Sequence, residues 1–164
     1  MYIVVTHDES IRNWAKSKDS GAEAWQNINL LGLMDQAPDD NLKELLGKVA
    51  ADEPLCISGH GNDKEIGDEK DREFDWAWDT AQLASLLGEC LTAGFKAPIL
   101  IDSCGAINKS FVGKLALELQ ELKKLKSIWI FGYQKKVDSD KKCPAPDLDA
   151  LHKQADLTGV QVRF

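Results

Sequence analysis

Short apolar runs alternate along the chain with stretches whose apolar positions recur at helical spacing. Tyr2–Thr6, Leu55–Ser58, Pro98–Ile101 and Ser127–Phe131 are nearly continuous apolar runs, which predicts strands buried on both faces. Between them lie amphipathic segments. Leu42, Leu45, Leu46 and Val49 form an i, i+3, i+4, i+7 stripe behind Asp39 and Asp40, which read as its N-cap. Thr80 to Thr92 carries Leu83, Leu86, Leu87 and Leu91 on one face, with Asp79 or Thr80 as cap. Lys109 to Lys124 repeats the pattern with Val112, Leu115, Leu119 and Leu122. Shorter helices are predicted at Ile11–Lys16, Glu23–Asn27 and Asp147–Gln154, and Val160–Phe164 reads as an edge strand. Residues 62 to 78 read as a long polar loop, and Gly132 as the end of the fourth strand. Apolar strands alternating with helices predict an α/β protein, a three-layer α/β/α sandwich around a mostly parallel sheet.

Length and charge narrow the functional classes. At 164 residues the chain can bury one core and not two, so a single domain over residues 1–164 is expected. The net charge of −7 argues against the basic face that nucleic acid requires. No apolar run approaches the ~20 residues of a membrane span, so no membrane partner is expected. The opening Met1-Tyr2-Ile3-Val4-Val5 lacks a basic region and a long apolar stretch; it reads as a strand rather than a signal peptide, and a cytoplasmic location is expected. Of the four cysteines, no two have metal-type spacing, and Cys56 and Cys90 sit on apolar faces as small hydrophobes. The acidic stretch from Asn62 to Asp79 lacks the ligand spacing of a calcium loop and reads as solvated. Neither a metal nor a cofactor is expected.

The candidate chemistry lies where two of the apolar runs break off. Leu55-Cys56-Ile57 leads into Ser58-Gly59-His60-Gly61, and Pro98-Ile99-Leu100-Ile101 leads into Asp102-Ser103-Cys104-Gly105. With one helix between them, the two strands form a right-handed parallel unit whose ends share one sheet edge. Ligands of open α/β sheets bind at that edge. A histidine and a cysteine side by side there constitute a nucleophile and its base, since the thiolate attacks and a neighbouring imidazole accepts its proton.

These residues resemble the caspase-like cysteine peptidases, the group of caspases, metacaspases, clostripain and gingipains. In the caspase case a histidine stands roughly 50 residues before the catalytic cysteine. Asp102-Ser103-Cys104 is similar to the metacaspase motif, although Gly105-Ala106 stands where metacaspases have His-Ser. The motifs cover about residues 50 to 132. The resemblance implies a caspase-like fold, Cys104 as nucleophile, His60 as base and acid, and the amides of Gly61 and Cys104 as oxyanion donors. It implies a protein or peptide substrate cleaved after a basic residue held by Asp102, with Asp8 as a further pocket residue and Tyr133 beside the substrate.

Other readings of the same residues stay open. Cys104 taken singly reads as a core cysteine, His60 as a turn histidine, and Asp102 and Asp8 as capping or turn residues. His7 and His152 read as exposed histidines, and Trp76 and Trp78 as the cover of a helix end. The whole chain also reads as a catalytically silent caspase-like module used for binding. A small-ligand α/β domain is a third reading, weakened by the lack of a G-x-G-x-x-G or Walker loop.

Overall fold

A computed structural model describes residues 1–33, 37–68, 75–103 and 108–164. The strands are β1 (Tyr2–Val4), β2 (Ile28–Leu30), β3 (Leu55–Gly61), β4 (Glu65–Gly67), β5 (Ala77–Asp79), β6 (Ile99–Ser103), β7 (Trp129–Tyr133) and β8 (Leu157–Gln161). The helices are α1 (Glu9–Lys16), α2 (Pro38–Leu46), α3 (Thr80–Cys90), α4 (Asn108–Glu121) and α5 (Leu148–Lys153), with 3-10 turns at Lys18–Ser20 and Ala22–Trp25. The main sheet runs in the order β2-β1-β3-β6-β7-β8, parallel throughout except for β8, and β4 and β5 form an antiparallel extension from the end of β3.

Strand alternation produces two cores. Ile3, Leu55, Ile57, Ile99, Ile101 and Ile130 face α2, α3 and α4, and are packed with Leu42, Leu83, Leu87, Val112 and Leu119. Tyr2, Val4, Cys56, Leu100, Phe131 and Tyr133 face the other way, against Ile11 and Ala15 of α1 and Leu151 of α5. A sheet clad on both faces needs strands that are apolar on both faces, and hence the uninterrupted runs in the sequence. The α/β class and the mostly parallel sheet follow.

Several elements differ from the sequence reading, each for a local reason. Pro38, not Asp39 or Asp40, opens α2: proline suits the first helical turn, and the two aspartates lie inside that turn. Asp39 instead accepts a hydrogen bond from the Trp78 indole at 2.7 Å. The stretch expected as a polar loop contains β4 and β5, whose polar composition masks Ile66 and Trp78, both buried. β3 continues past Ser58 because β4 pairs with its end, His60 opposite Gly67 and Gly61 opposite Ile66. β2 escaped notice because all three of its residues are only partly buried. β7 runs through Gly132 to Tyr133, and the last strand is Leu157–Gln161 rather than Val160–Phe164. Leu122 is exposed, beyond the end of α4. Of the two cap residues expected for α3, Asp79 is the cap, accepting from the Gln82 amide while the Gln82 side chain accepts from the Asp79 amide; the helix ends at Cys90 rather than Thr92.

Candidate functional site at the ends of β1, β3 and β6

Register determines what meets at the sheet edge. β1 lies beside β3 with Val4 opposite Ser58, and β3 lies beside β6 with Ser58 opposite Asp102 and Gly59 opposite Ser103. His60 is the next residue of β3. Cys104, the next residue in sequence after Ser103, lies outside the described residues.

Asp8, the residue before α1 and four past the end of β1, meets His60: its Oδ2 is 2.8 Å from the imidazole Nε2. The same side chain caps α1, accepting from the amides of Ser10 at 2.7 Å and Ile11 at 3.3 Å. Partial burial alone would raise the carboxyl pKa, but the bonds from His60 and the two amides outweigh it and hold Asp8 below the usual aspartate value. Asp8 therefore bonds to the histidine and does not line the pocket that borders Asp102.

Asp102 occupies the opposite face of β6 from Ile101 and is enclosed by polar groups. Tyr2 donates to it at 2.7 Å, and Ser58 also bonds to it. Desolvation nevertheless dominates and raises its pKa above the usual value, against the lowering by these hydroxyls and by nearby Lys141. The carboxylate borders a narrow pocket between α1 and the segment after β7, lined among others by Trp14, Ser58, Gly59, Asp138 and Lys141. Its cavity is about 20 Å³, space for one or two waters. Lys141 pairs with Asp156 and lies 4.8 Å from the centre of the Tyr133 ring.

Tyr133 was expected beside a substrate. Its ring is instead fully buried behind Asp102, because β7 carries it into the core on the α1 and α5 side of the sheet, and its hydroxyl acts on the Asp102 carboxylate, helping to lower its pKa. Gly61 packs so closely on β6 that a β-carbon there would lie 2.3 Å from the Ser103 hydroxyl oxygen. Only glycine fits without displacing Ser103.

A second imidazole–carboxylate pair lies nearby, and sequence reasoning missed it. Asp68, just past β4, is 2.6 Å from His7 Nδ1 and accepts from the Thr6 hydroxyl and the amides of His7 and Trp76. Burial opposes its ionisation, and these donors together still hold its pKa below the usual value. The His7 ring lies against Trp76, with centroids 3.7 Å apart. His7 is thus half-covered rather than a free loop residue, whereas His152 is exposed and meets Trp129 and Phe131 edge-on. Trp76 and Trp78 belong to the core on the α2, α3 and α4 side of the sheet. Among the described residues no helix is long and apolar enough to cross a membrane. Neither a protein-family model nor a curated protein matches the chain.

Proposed function

We propose that the chain is a caspase-like cysteine endopeptidase that cleaves after basic residues. The observation that carries this reading is the β3–β6 register, Gly59 opposite Ser103: His60 follows Gly59 in β3, and Cys104 is the next residue in the sequence after Ser103. His60 accepts the Cys104 thiol proton, and the thiolate attacks the scissile carbonyl. The amides of Gly61 and Cys104 bind the oxyanion, each such bond contributing ~3 kcal/mol in comparable sites. His60 then protonates the leaving amine, and water hydrolyses the acyl-enzyme with the imidazole as base. With Nε2 engaged by Asp8, proton transfer falls to Nδ1. Asp8 holds the ring and favours its charged form.

Asp102, one strand position before Ser103, receives the basic side chain through a charge-assisted pair. The pocket must widen for a guanidinium; Val137, Asp138, Ser139 and Lys141 form one of its walls. That narrowness also favours a second reading, a caspase-like module that binds without turnover.

A peptidyl chloromethyl ketone ending in Arg separates the two. Cys104 should be labelled much faster than Cys56, Cys90 or Cys143, whose thiol pKa values are all raised, chiefly by burial. Fluorogenic peptides with Arg or Lys at the cleavage site should be cut and Asp peptides should not, and Asp102→Asn should lower the Arg rate at least about tenfold. Equal labelling of all four cysteines removes the peptidase reading. A preference for Asp, or full activity in Asp102→Asn, removes the acidic pocket.

A further inference from the structure

Three residues far apart in sequence converge behind Asp102. Cys56 projects from β3 toward the core on the α1 and α5 side of the sheet, Asp102 from β6 on the same face, and Cys143 enters from the segment after β7. The two sulfurs are 4.0 Å apart, and one ligand atom from each of the three residues lies within 4.8 Å of the others. A tetrahedral zinc ion with Zn–S near 2.3 Å sets its sulfurs about 3.8 Å apart. The observed triangle needs only a small contraction to reach that geometry.

We propose that Cys56, Cys143 and Asp102 form a binding site for a thiophilic divalent cation such as zinc, separate from His60 and Cys104. Two soft sulfurs and one carboxylate suit zinc, whereas calcium and magnesium take all-oxygen sets. The surroundings fit an ion. Tyr2 donates to Asp102 and orients it, as outer partners of metal ligands do. Lys141 offsets part of the negative charge of two thiolates and a carboxylate. The buried Tyr133 hydroxyl also acts on the Asp102 carboxylate and, with Tyr2, helps to hold it in place. Of the three ligands, Asp102 also borders a pocket of about 20 Å³, the size of a water or an ion rather than of a guanidinium. On binding, both thiols release their protons to solvent and no oxidation state changes.

The consequence rests on the proposed peptidase reading: a cation held by Asp102 and a basic substrate side chain compete for one carboxylate. The ion also tethers the segment of Val137 to Cys143, a pocket wall, to β3. Zinc is then an inhibitor acting on the specificity pocket rather than on the nucleophile.

Cobalt(II) titration of the reduced protein reports the site directly, because thiolate ligation gives charge-transfer absorption and tetrahedral coordination gives intense visible bands. Both should appear at one equivalent, persist in Cys104→Ala and His60→Ala, and be displaced by zinc. Cys143→Ser and Asp102→Asn should each weaken binding at least tenfold; Cys143→Ala replaces the serine variant if that does not fold. Absence of a charge-transfer band, or a band that survives loss of Cys143 and disappears in Cys104→Ala, overturns the proposal. Peptide cleavage is measured in parallel. A cobalt site without any cleavage keeps the metal proposal and removes the peptidase, and cleavage without a cobalt site does the reverse.

Discussion

Asp8 performs two tasks with one carboxylate, capping α1 through Oδ1 and bonding His60 through Oδ2. The tasks can be separated chemically. Serine is as good an N-cap as aspartate but lacks the second oxygen and the charge. Asp8→Ser should leave the melting temperature nearly unchanged while lowering kcat/KM about tenfold or more, a fraction of the ~10²–10⁴ that a general base contributes. The pH profile discriminates further: without the carboxylate the imidazole loses an anionic neighbour, so the rate limb set by His60 should move to lower pH. Asp8→Asn keeps cap and ring contact and should fall between. An unaltered pH–rate profile in Asp8→Ser would confine Asp8 to helix capping. His60, Asp8 and Asp102 were all legible as candidates, but the Asp8–His60 contact was not. It depends on β1 lying next to β3, a fact that no local spacing encodes.

At the scale of elements, the close fit of β3 on β6 makes Gly61 the most constrained position of the candidate site. A methyl group there would meet the Ser103 hydroxyl at 2.3 Å, its β-carbon at 3.1 Å and the Glu65 carbonyl at 3.1 Å. Gly61→Ala should cost about 1–3 kcal/mol by overpacking. Ser103→Gly should return most of that stability in the double variant, a non-additivity expected of residues in contact and measurable by chemical denaturation. Strict additivity of the two changes would mean that the strain is relieved elsewhere, at the β3–β4 turn. The β4–β5 extension was hidden for a related reason. Its strands are three residues each, so their period is too short to stand out from a polar segment even though Ile66 and Trp78 are buried. They exist because β3 extends past the main sheet and offers unpaired backbone groups.

For the whole molecule, pH acts on the two kinds of aspartate in opposite directions. Asp68 ties the β4–β5 extension to the end of β1 through Thr6, His7 and Trp76, and its pKa is depressed. Its stabilisation is present above the unfolded value near 3.8 and is lost as pH falls through the still lower folded value. Asp102 is raised, so its ionisation costs stability at neutral pH; the cost vanishes as pH falls through the raised folded value toward 3.8. Asp102→Asn, whose amide oxygen can still accept from Tyr2, should therefore be more stable than the parent at pH 7 by about 1 kcal/mol. That advantage should disappear near pH 4. Melting curves from pH 3 to 8 test this, and an Asp102→Asn protein that is less stable at pH 7 contradicts the assigned cost of burial.

Periodicity alone determined the number and kind of the large elements: buried parallel strands and leucine-faced helices announce themselves because burial demands an uninterrupted apolar run or a 3.6-residue stripe. The strand-end positions of His60 and Asp102 were legible for the same reason. Only the tertiary structure decided which distant residues share a site. Strand order brings Asp8 to His60, the β4 return brings Asp68 to His7, and the segment after β7 brings Cys143 to Cys56 and Asp102. These contacts arise from packing between elements, and neither composition nor spacing within an element carries that information.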